Sequence, residues 1–283
     1  MDRGIPHCGP EQKLIVVDSE QKPLLAAGAG NSRRRRGIYL LPNLLTTAGL
    51  FAGFYAIVAA MNGRFEAAAV AIFVAMLMDG VDGRIARLTN TQSAFGAEYD
   101  SLADMVSFGL GPALVIYEWT LHSLGKLGWL AAFLYAACAA LRLARFNTQV
   151  GIADKRYFQG LASPSAAACL AGLVWFAVDA GIAGAALLLP AFILTILTAV
   201  FMVSNIRYYS FKGLDSREKV PFVAILLVVL IFVLISTDPP KVLFIAFLLY
   251  ALSGPVVTLV QIRQHRIQRR APLGSTKVDD DEK

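Results

Sequence analysis

Charge is scarce in this chain. Asp, Glu, Lys and Arg make up only 16% of its 283 residues, while 57% are hydrophobic and mean hydropathy is +0.59. A soluble domain carries about 25% charged residues, so a large soluble protein with an ordinary core is excluded. Cysteine is scarcer still. Cys8, Cys138 and Cys169 lie far apart and form no CxxC pair, which excludes a disulfide framework and a thiolate zinc site. Cys138 and Cys169 fall inside apolar runs and read as small core residues. The three histidines, His7, His122 and His265, show neither triad nor metal-ligand spacing and receive no role. A cleavable signal pattern is also missing: residues 1–32 are mixed and polar, and the first span is expected to act as its own insertion signal. The net charge is +6 and the pI about 9.3, but no aromatic-basic module accompanies them, so nucleic acid is not an expected partner.

Long apolar blocks are present instead. Eight of them, near residues 38–60, 65–83, 97–118, 127–146, 160–179, 182–204, 220–236 and 242–261, approach the length a helix needs to cross about 30 Å of hydrocarbon. The reading is an all-α polytopic transmembrane bundle of about eight spans. Placing the N-terminus in the cytoplasm and alternating puts 23 Lys and Arg inside, and leaves Arg64, Lys126 and Lys241 outside. Positive charge collects on the cytoplasmic side of membrane proteins, so both termini and every long polar loop are expected there. Three regions follow: a flexible basic arm over 1–36, a membrane domain over 37–262, and a tail over 263–283. The whole tail is expected to be disordered; it starts with "RQHRIQRR", suited to anionic headgroups, and ends on the acidic "KVDDDEK". The short "LIVV" at 14–17 has no assigned partner.

One stretch breaks the apolar pattern. "DGVDGRIARLTNTQSAFGAEYDSLAD" (79–104) puts Asp79 and Asp82 at the end of the second block, and Asp100 and Asp104 at the start of the third. On helices each pair projects from one face, about 60° and about 40° apart. Ionisable groups at membrane depth mark functional sites. Four converging carboxylates repel one another unless cations intervene, and hard oxygen donors suit Mg²⁺ or Mn²⁺. Two such ions form a geometry that clamps the attacking and leaving oxygens of a phosphoryl displacement. Gly80, Gly83, Ala86 and Gly96 remove bulk beside the carboxylates, and Arg87 follows Gly83 by one turn, within reach of a phosphate. A cation-transport site is the competing reading of the same aspartates.

This stretch resembles the CDP-alcohol phosphatidyltransferase signature D-x2-D-G-x2-A-R-x8-G-x3-D-x3-D. Asp79, Asp82, Gly83, Ala86, Arg87, Gly96, Asp100 and Asp104 match it without departure. The resemblance implies transfer of a phosphatidyl group from CDP-diacylglycerol to an alcohol, with release of CMP. It implies that Asp79, Asp82 and Asp100 ligate one divalent ion and Asp79, Asp100 and Asp104 a second, with Asp104 also the general base. Gly83 and Arg87 would lie at the CDP moiety. Asn43, with Thr46 one turn later, would lie near the nucleotide; Asn43 also reads as a helix N-cap after Pro42. The family commonly forms homodimers in the membrane.

The motif does not name the acceptor. "GIYLLPNLLTTAGLFAGFYAIV", "ALRLARFN", "YFQGLASPSAAA" and "VSNIRYYSFKGL" together resemble the integral-membrane phosphatidylserine synthases of bacteria, which implies L-serine and the cytoplasmic membrane. Those proteins usually read G-L-P-S-P where this chain has Ala162 in place of the first proline, a change expected to loosen the turn without removing a ligand. The serine carboxylate suits an Arg fork. Arg142 and Arg145, three residues apart on one helix face, are the candidates, with Arg207 a weaker one. Ser163 reads as a turn or substrate-loop residue. Glycerol 3-phosphate or an inositol phosphate is the alternative acceptor, and a membrane scaffold without activity is a further reading.

Overall fold

A computed structural model describes residues 31–149 except 90 and 92, 157–209 and 222–270. Residues 1–30, the "LIVV" stretch, Lys155, Arg156, the cations of 210–221 and the acidic tail lie outside the described residues. The chain divides into two compact units, Met1–Gly37 and Ile38–Lys283, and the second holds the bundle. Helices run over Asn31–Met61 (α1), Phe65–Leu88 (α2), Ala94–Asp104 (α3), Gly111–Trp119 (α4), Lys126–Gln149 (α5), Ser163–Asp179 (α6), Leu188–Val203 (α7), Phe222–Thr237 (α8) and Pro239–Arg270 (α9). A π-helical turn, Met105–Leu110, joins α3 to α4. Each of the eight expected segments therefore coincides with one helical rod among the described residues, the third being α3, the π turn and α4 in series.

Four stretches are long and apolar enough to span a membrane on their own: Leu41–Met61, Lys126–Thr148, Gly184–Val203 and Pro239–Thr258. The other rods depart from that standard for physical reasons. The second and third carry the aspartates. Helix α6, 17 residues long, is buried along most of its length, so protein rather than lipid surrounds it. Helix α8 is 16 residues and apolar all round, exposing Leu226 and the run Val229–Leu234, as a lipid-facing helix does.

The ends of α1 and α9 differ from expectation. Helix α1 begins at Asn31, inside the stretch expected as a flexible arm, and carries Pro42 in its interior. Transmembrane helices tolerate proline where neighbours satisfy the freed carbonyl. Helix α9 continues to Arg270, so residues 263–270 are helical rather than disordered. "RQHRIQRR" contains no Gly or Pro, and its Arg and Gln are good helix formers. The start of α9 follows capping chemistry. Asp238 Oδ1 accepts the Lys241 backbone N–H at 3.3 Å, and prolines fill the first two helical positions. The hydrogen bond from the Lys241 ammonium holds the Asp238 carboxyl below its ordinary value.

Helix α6 is the centre of the bundle, packed against α2, α4, α7 and α9. Its buried side chains are mostly small: Ala166, Ala167, Ala168, Cys169, Ala171 and Gly172. Helix α2 presents Ala68, Ala69, Ala71 and Ala75. Small residues let helix backbones approach closely, which drives association where lipid offers no hydrophobic force.

The one sheet among the described residues was not expected. β1 (Tyr157–Gln159) pairs antiparallel with β2 (Arg207–Tyr209), Phe158 opposite Tyr208. It ties the connection before α6 to the one after α7. Gly160, just past β1, has φ +79°, and a Cβ there would lie 2.3 Å from the Met202 carbonyl oxygen. Gly160 N donates to Ile206 O and Leu161 N to Phe201 O, both at 2.9 Å. This turn is therefore held by backbone bonds. Ala162 has φ −61° and ψ 135°, angles that proline adopts unstrained. Ala162→Pro is expected to stabilise the protein by about 0.5 kcal/mol, through a less flexible unfolded chain. A small rise in detergent melting temperature, with activity retained, would be the result.

Candidate active site

The aspartates come from two consecutive rods. Asp79 and Asp82 lie near the C-terminal end of α2; Asp100 and Asp104 lie on α3. Ser93 caps α3 by accepting the Gly96 N–H at 3.0 Å, which fixes where the helix starts and so the phase of both aspartates. One carboxylate oxygen each from Asp79, Asp82 and Asp100 lie within 4.8 Å of one another. Asp104 is outside that cluster but lines the same small cavity, beside Thr46, Gly49, Ala103 and Ser107.

Asp82 is buried, and the other three are half-buried. Among the described residues none of the four forms an ion pair; the ion pair there is Lys241–Asp238. Like charges this close and this dry are destabilising without a counter-charge. The donor set, oxygen throughout, is the one hard divalent cations take. These residues fit a divalent ion, and the triad is the set expected to hold the first of two.

Helix α1 closes the cavity from the side. Thr46 Oγ1 lies 2.8 Å from Asp82 Oδ2 and 3.1 Å from the Pro42 carbonyl, so its one proton serves one acceptor at a time. Thr46 was expected at the nucleotide; its observed partner is a carboxylate. Asn43 sits within α1, twelve residues past its start, which removes the N-cap reading. Its Oδ1 lies where a Cβ on Gly96 would approach to 3.4 Å, so Asn43 reaches the mouth of the site. Next to it, Thr47 Oγ1 donates to the Asn43 carbonyl at 2.7 Å and meets Tyr99 Oη at 2.9 Å.

Helix α1 and the π turn approach closely. A Cβ on Gly53 would lie 2.3 Å from Ser107 Oγ and 2.6 Å from Ser107 Cα, and Ser107 Oγ donates to the Gly49 carbonyl at 3.2 Å. The buried Tyr135 hydroxyl donates to the Phe108 carbonyl at 3.1 Å. A π turn leaves backbone groups off the α-helical ladder, and these two side chains pin it from both sides, starting one residue after Asp104.

The candidate cations divide clearly. Arg87 is exposed and folds back, Nε to the Gly83 carbonyl at 2.9 Å; it touches no aspartate. Gly83 leaves room for that fold, since a Cβ there would lie 3.8 Å from Arg87 Nη2. Arg145 donates to the Val203 carbonyl at 3.2 Å and to Asn205 Oδ1 at 2.6 Å, closing the end of α7. Arg142 donates to Ser163 Oγ at 2.8 Å, and its buried Nε has no hydrogen-bond partner among the described residues. Its guanidinium also bears electrostatically on Asp104. The side chain of Arg207 lies outside the described residues. Sequence spacing pointed to none of Ser107, Tyr135 or the Arg142–Ser163 bond. Only the resemblance to G-L-P-S-P flagged the neighbourhood of Ser163.

The sequence matches the family model of CDP-alcohol phosphatidyltransferase over residues 39–258. It is 35% identical over 219 residues to a CDP-diacylglycerol–serine O-phosphatidyltransferase of Helicobacter pylori, covering 77% of this chain and 90% of that one. A protein of the same name from Mycobacterium tuberculosis is 42% identical over 153 residues, 51% of this chain and 53% of the relative. An archaetidylserine synthase of Methanothermobacter thermautotrophicus is 30% identical over 188 residues, 66% and 76% respectively.

Proposed function

Because the chain belongs to the CDP-alcohol phosphatidyltransferase family, we propose that it moves the phosphatidyl group of CDP-diacylglycerol onto the hydroxyl of L-serine, forming phosphatidylserine and CMP. The observation that carries this reading is the unpaired carboxylate triad of Asp79, Asp82 and Asp100 within 4.8 Å. Relatives named as serine phosphatidyltransferases on either side of the bacterial–archaeal divide support the acceptor.

The protein is an integral membrane enzyme. The distribution of Lys and Arg supports the bacterial cytoplasmic membrane, with both termini and the site facing the cytoplasm. CDP-diacylglycerol then keeps its acyl tails in lipid while its diphosphate enters the acidic cavity, with Asn43 and Arg87 at its mouth. Divalent cations, two of Mg²⁺ or Mn²⁺ in this reading, neutralise the diphosphate and polarise its phosphorus when bound. Asp79, Asp82 and Asp100 would hold the first ion and Asp79, Asp100 and Asp104 the second. Thr46 fixes the rotamer of Asp82 by its hydrogen bond. Asp104 takes the proton of the serine hydroxyl. The freed oxygen forms a bond to the phosphorus that carries diacylglycerol, and the bond from that phosphorus to the bridging oxygen breaks. CMP leaves with that oxygen. Arg142 receives the serine carboxylate: its Nε is unpartnered and it lies in the field of Asp104, whereas the Arg145 fork is engaged by Val203 and Asn205. The homodimer implied by the family stays part of the proposal.

The test is CMP release by the purified protein in detergent, with CDP-diacylglycerol and Mg²⁺ or Mn²⁺. L-serine, glycerol 3-phosphate and inositol phosphate are supplied in separate reactions. Serine alone is expected to support release, and EDTA to abolish it until metal is restored. Release only with a phosphorylated alcohol would overturn the acceptor. Cation flux without CMP would overturn the chemistry.

A further inference from the structure

Ser163 has no capping duty. It is the first residue of α6, and its side chain's hydrogen-bond partner among the described residues is Arg142. Yet it is 1% exposed, and its hydroxyl accepts from Arg142 Nη1 at 2.8 Å. Burying a hydroxyl there carries a cost unless it is hydrogen-bonded, and Arg142 supplies the bond that removes it.

The position of that hydroxyl is set from outside α6. Gly160 and Leu161 are bonded through their N–H groups to Ile206 and Phe201, and Ala166 N donates back to the Ala162 carbonyl at 2.9 Å. The same end of α7 receives Arg145 through the Val203 carbonyl. One rigid corner therefore holds Ser163, and Ser163 holds one tip of the Arg142 guanidinium. An arginine side chain has many rotamers to lose on ordering. A fixed acceptor at one nitrogen pre-organises the others, leaving the buried Nε edge for a ligand.

We infer that Ser163 is the positioning residue that aims Arg142 at the acceptor's carboxylate, and so helps set selectivity for a carboxylate-bearing alcohol. This rests on the reading of Arg142 as the carboxylate receiver. Ser163 touches no reacting atom in it.

Two acceptors separate this role from packing. L-serine and serinol (2-amino-1,3-propanediol) share the amine and hydroxyl, and serinol lacks the carboxylate. CMP release by the full-length protein with Mn²⁺ gives kcat/KM for each. Ser163→Ala is expected to raise the KM for serine about tenfold with kcat little changed, in line with losing a hydrogen bond to a charged group. The serine-to-serinol ratio should fall by the same factor, while serinol turnover and the KM for CDP-diacylglycerol hold. Steady serinol turnover also shows that the variant is folded. Ser163→Thr, which keeps the hydroxyl, should restore the ratio. If Ser163→Ala lowers both acceptors equally or leaves the ratio untouched, the positioning role is wrong. Arg142→Ala distinguishes the two levels. A ratio lowered by Arg142→Ala but not by Ser163→Ala overturns the inference alone; a ratio unmoved by Arg142→Ala overturns the assignment of Arg142 itself.

Discussion

Asp104→Asn is expected to slow CMP release by about 10³-fold, within the range removed with a general base. Asparagine keeps the shape of the side chain and cannot take up the acceptor's proton. The substitution also separates two roles that the sequence signature merges. The triad that converges within 4.8 Å is Asp79, Asp82 and Asp100, without Asp104. Stabilisation of the purified variant by Mn²⁺, read as a shift in melting temperature, should therefore persist while turnover is lost. Loss of both would make Asp104 a principal ligand. An unchanged rate would remove Asp104 from the chemistry.

Gly53→Ala is expected to damage the protein far beyond what one added methyl ordinarily does. In an exposed helix the change would be favourable by about 1 kcal/mol. Here the new Cβ would meet Ser107 Oγ at 2.3 Å and Ser107 Cα at 2.6 Å. Atoms cannot share that space, so α1 and the π turn must separate. Overpacking of this kind costs about 1–3 kcal/mol, which outweighs the propensity gain. The shift falls three residues after Asp104, so activity should drop further than stability alone accounts for. The check is a pair of variants. Trimming the neighbour with Ser107→Gly removes Oγ and Cβ but leaves the clash with the backbone at 107, so the double variant should recover only in part. Full recovery would show that the hydroxyl, not the backbone, sets the spacing.

Much of the centre was legible because it is local. The aspartates sit three and four residues apart on helices that the apolar blocks announce, and all four precede the π turn, so ordinary helix geometry applies to them. Past Asp104 that geometry stops applying. "MVSFGL" contains no proline and a single glycine, Gly109, and what stabilises the wider turn is Ser107 reaching Gly49 and Tyr135 reaching Phe108. Both bonds join distant segments and leave no periodic trace. The same holds for Arg142 and Ser163, 21 residues apart on different helices. The N-cap reading of Asn43 failed for a different reason. Pro42 looked like a helix start, and in a membrane helix it is compatible with an interior position. The β1–β2 ladder pairs two three-residue strands, too short for alternation to reveal.

The acidic half of the centre is confined to residues 79–104, whereas Arg142 and Ser163 arrive with α5 and α6. A chain is made from its N-terminus and its parts can associate as they emerge. The four aspartates of the cluster are thus translated before the residues proposed to receive serine. A nascent chain ending after α4 would already contain the acidic cluster and none of the acceptor pocket, so the two halves of the centre are supplied at separate stages of synthesis.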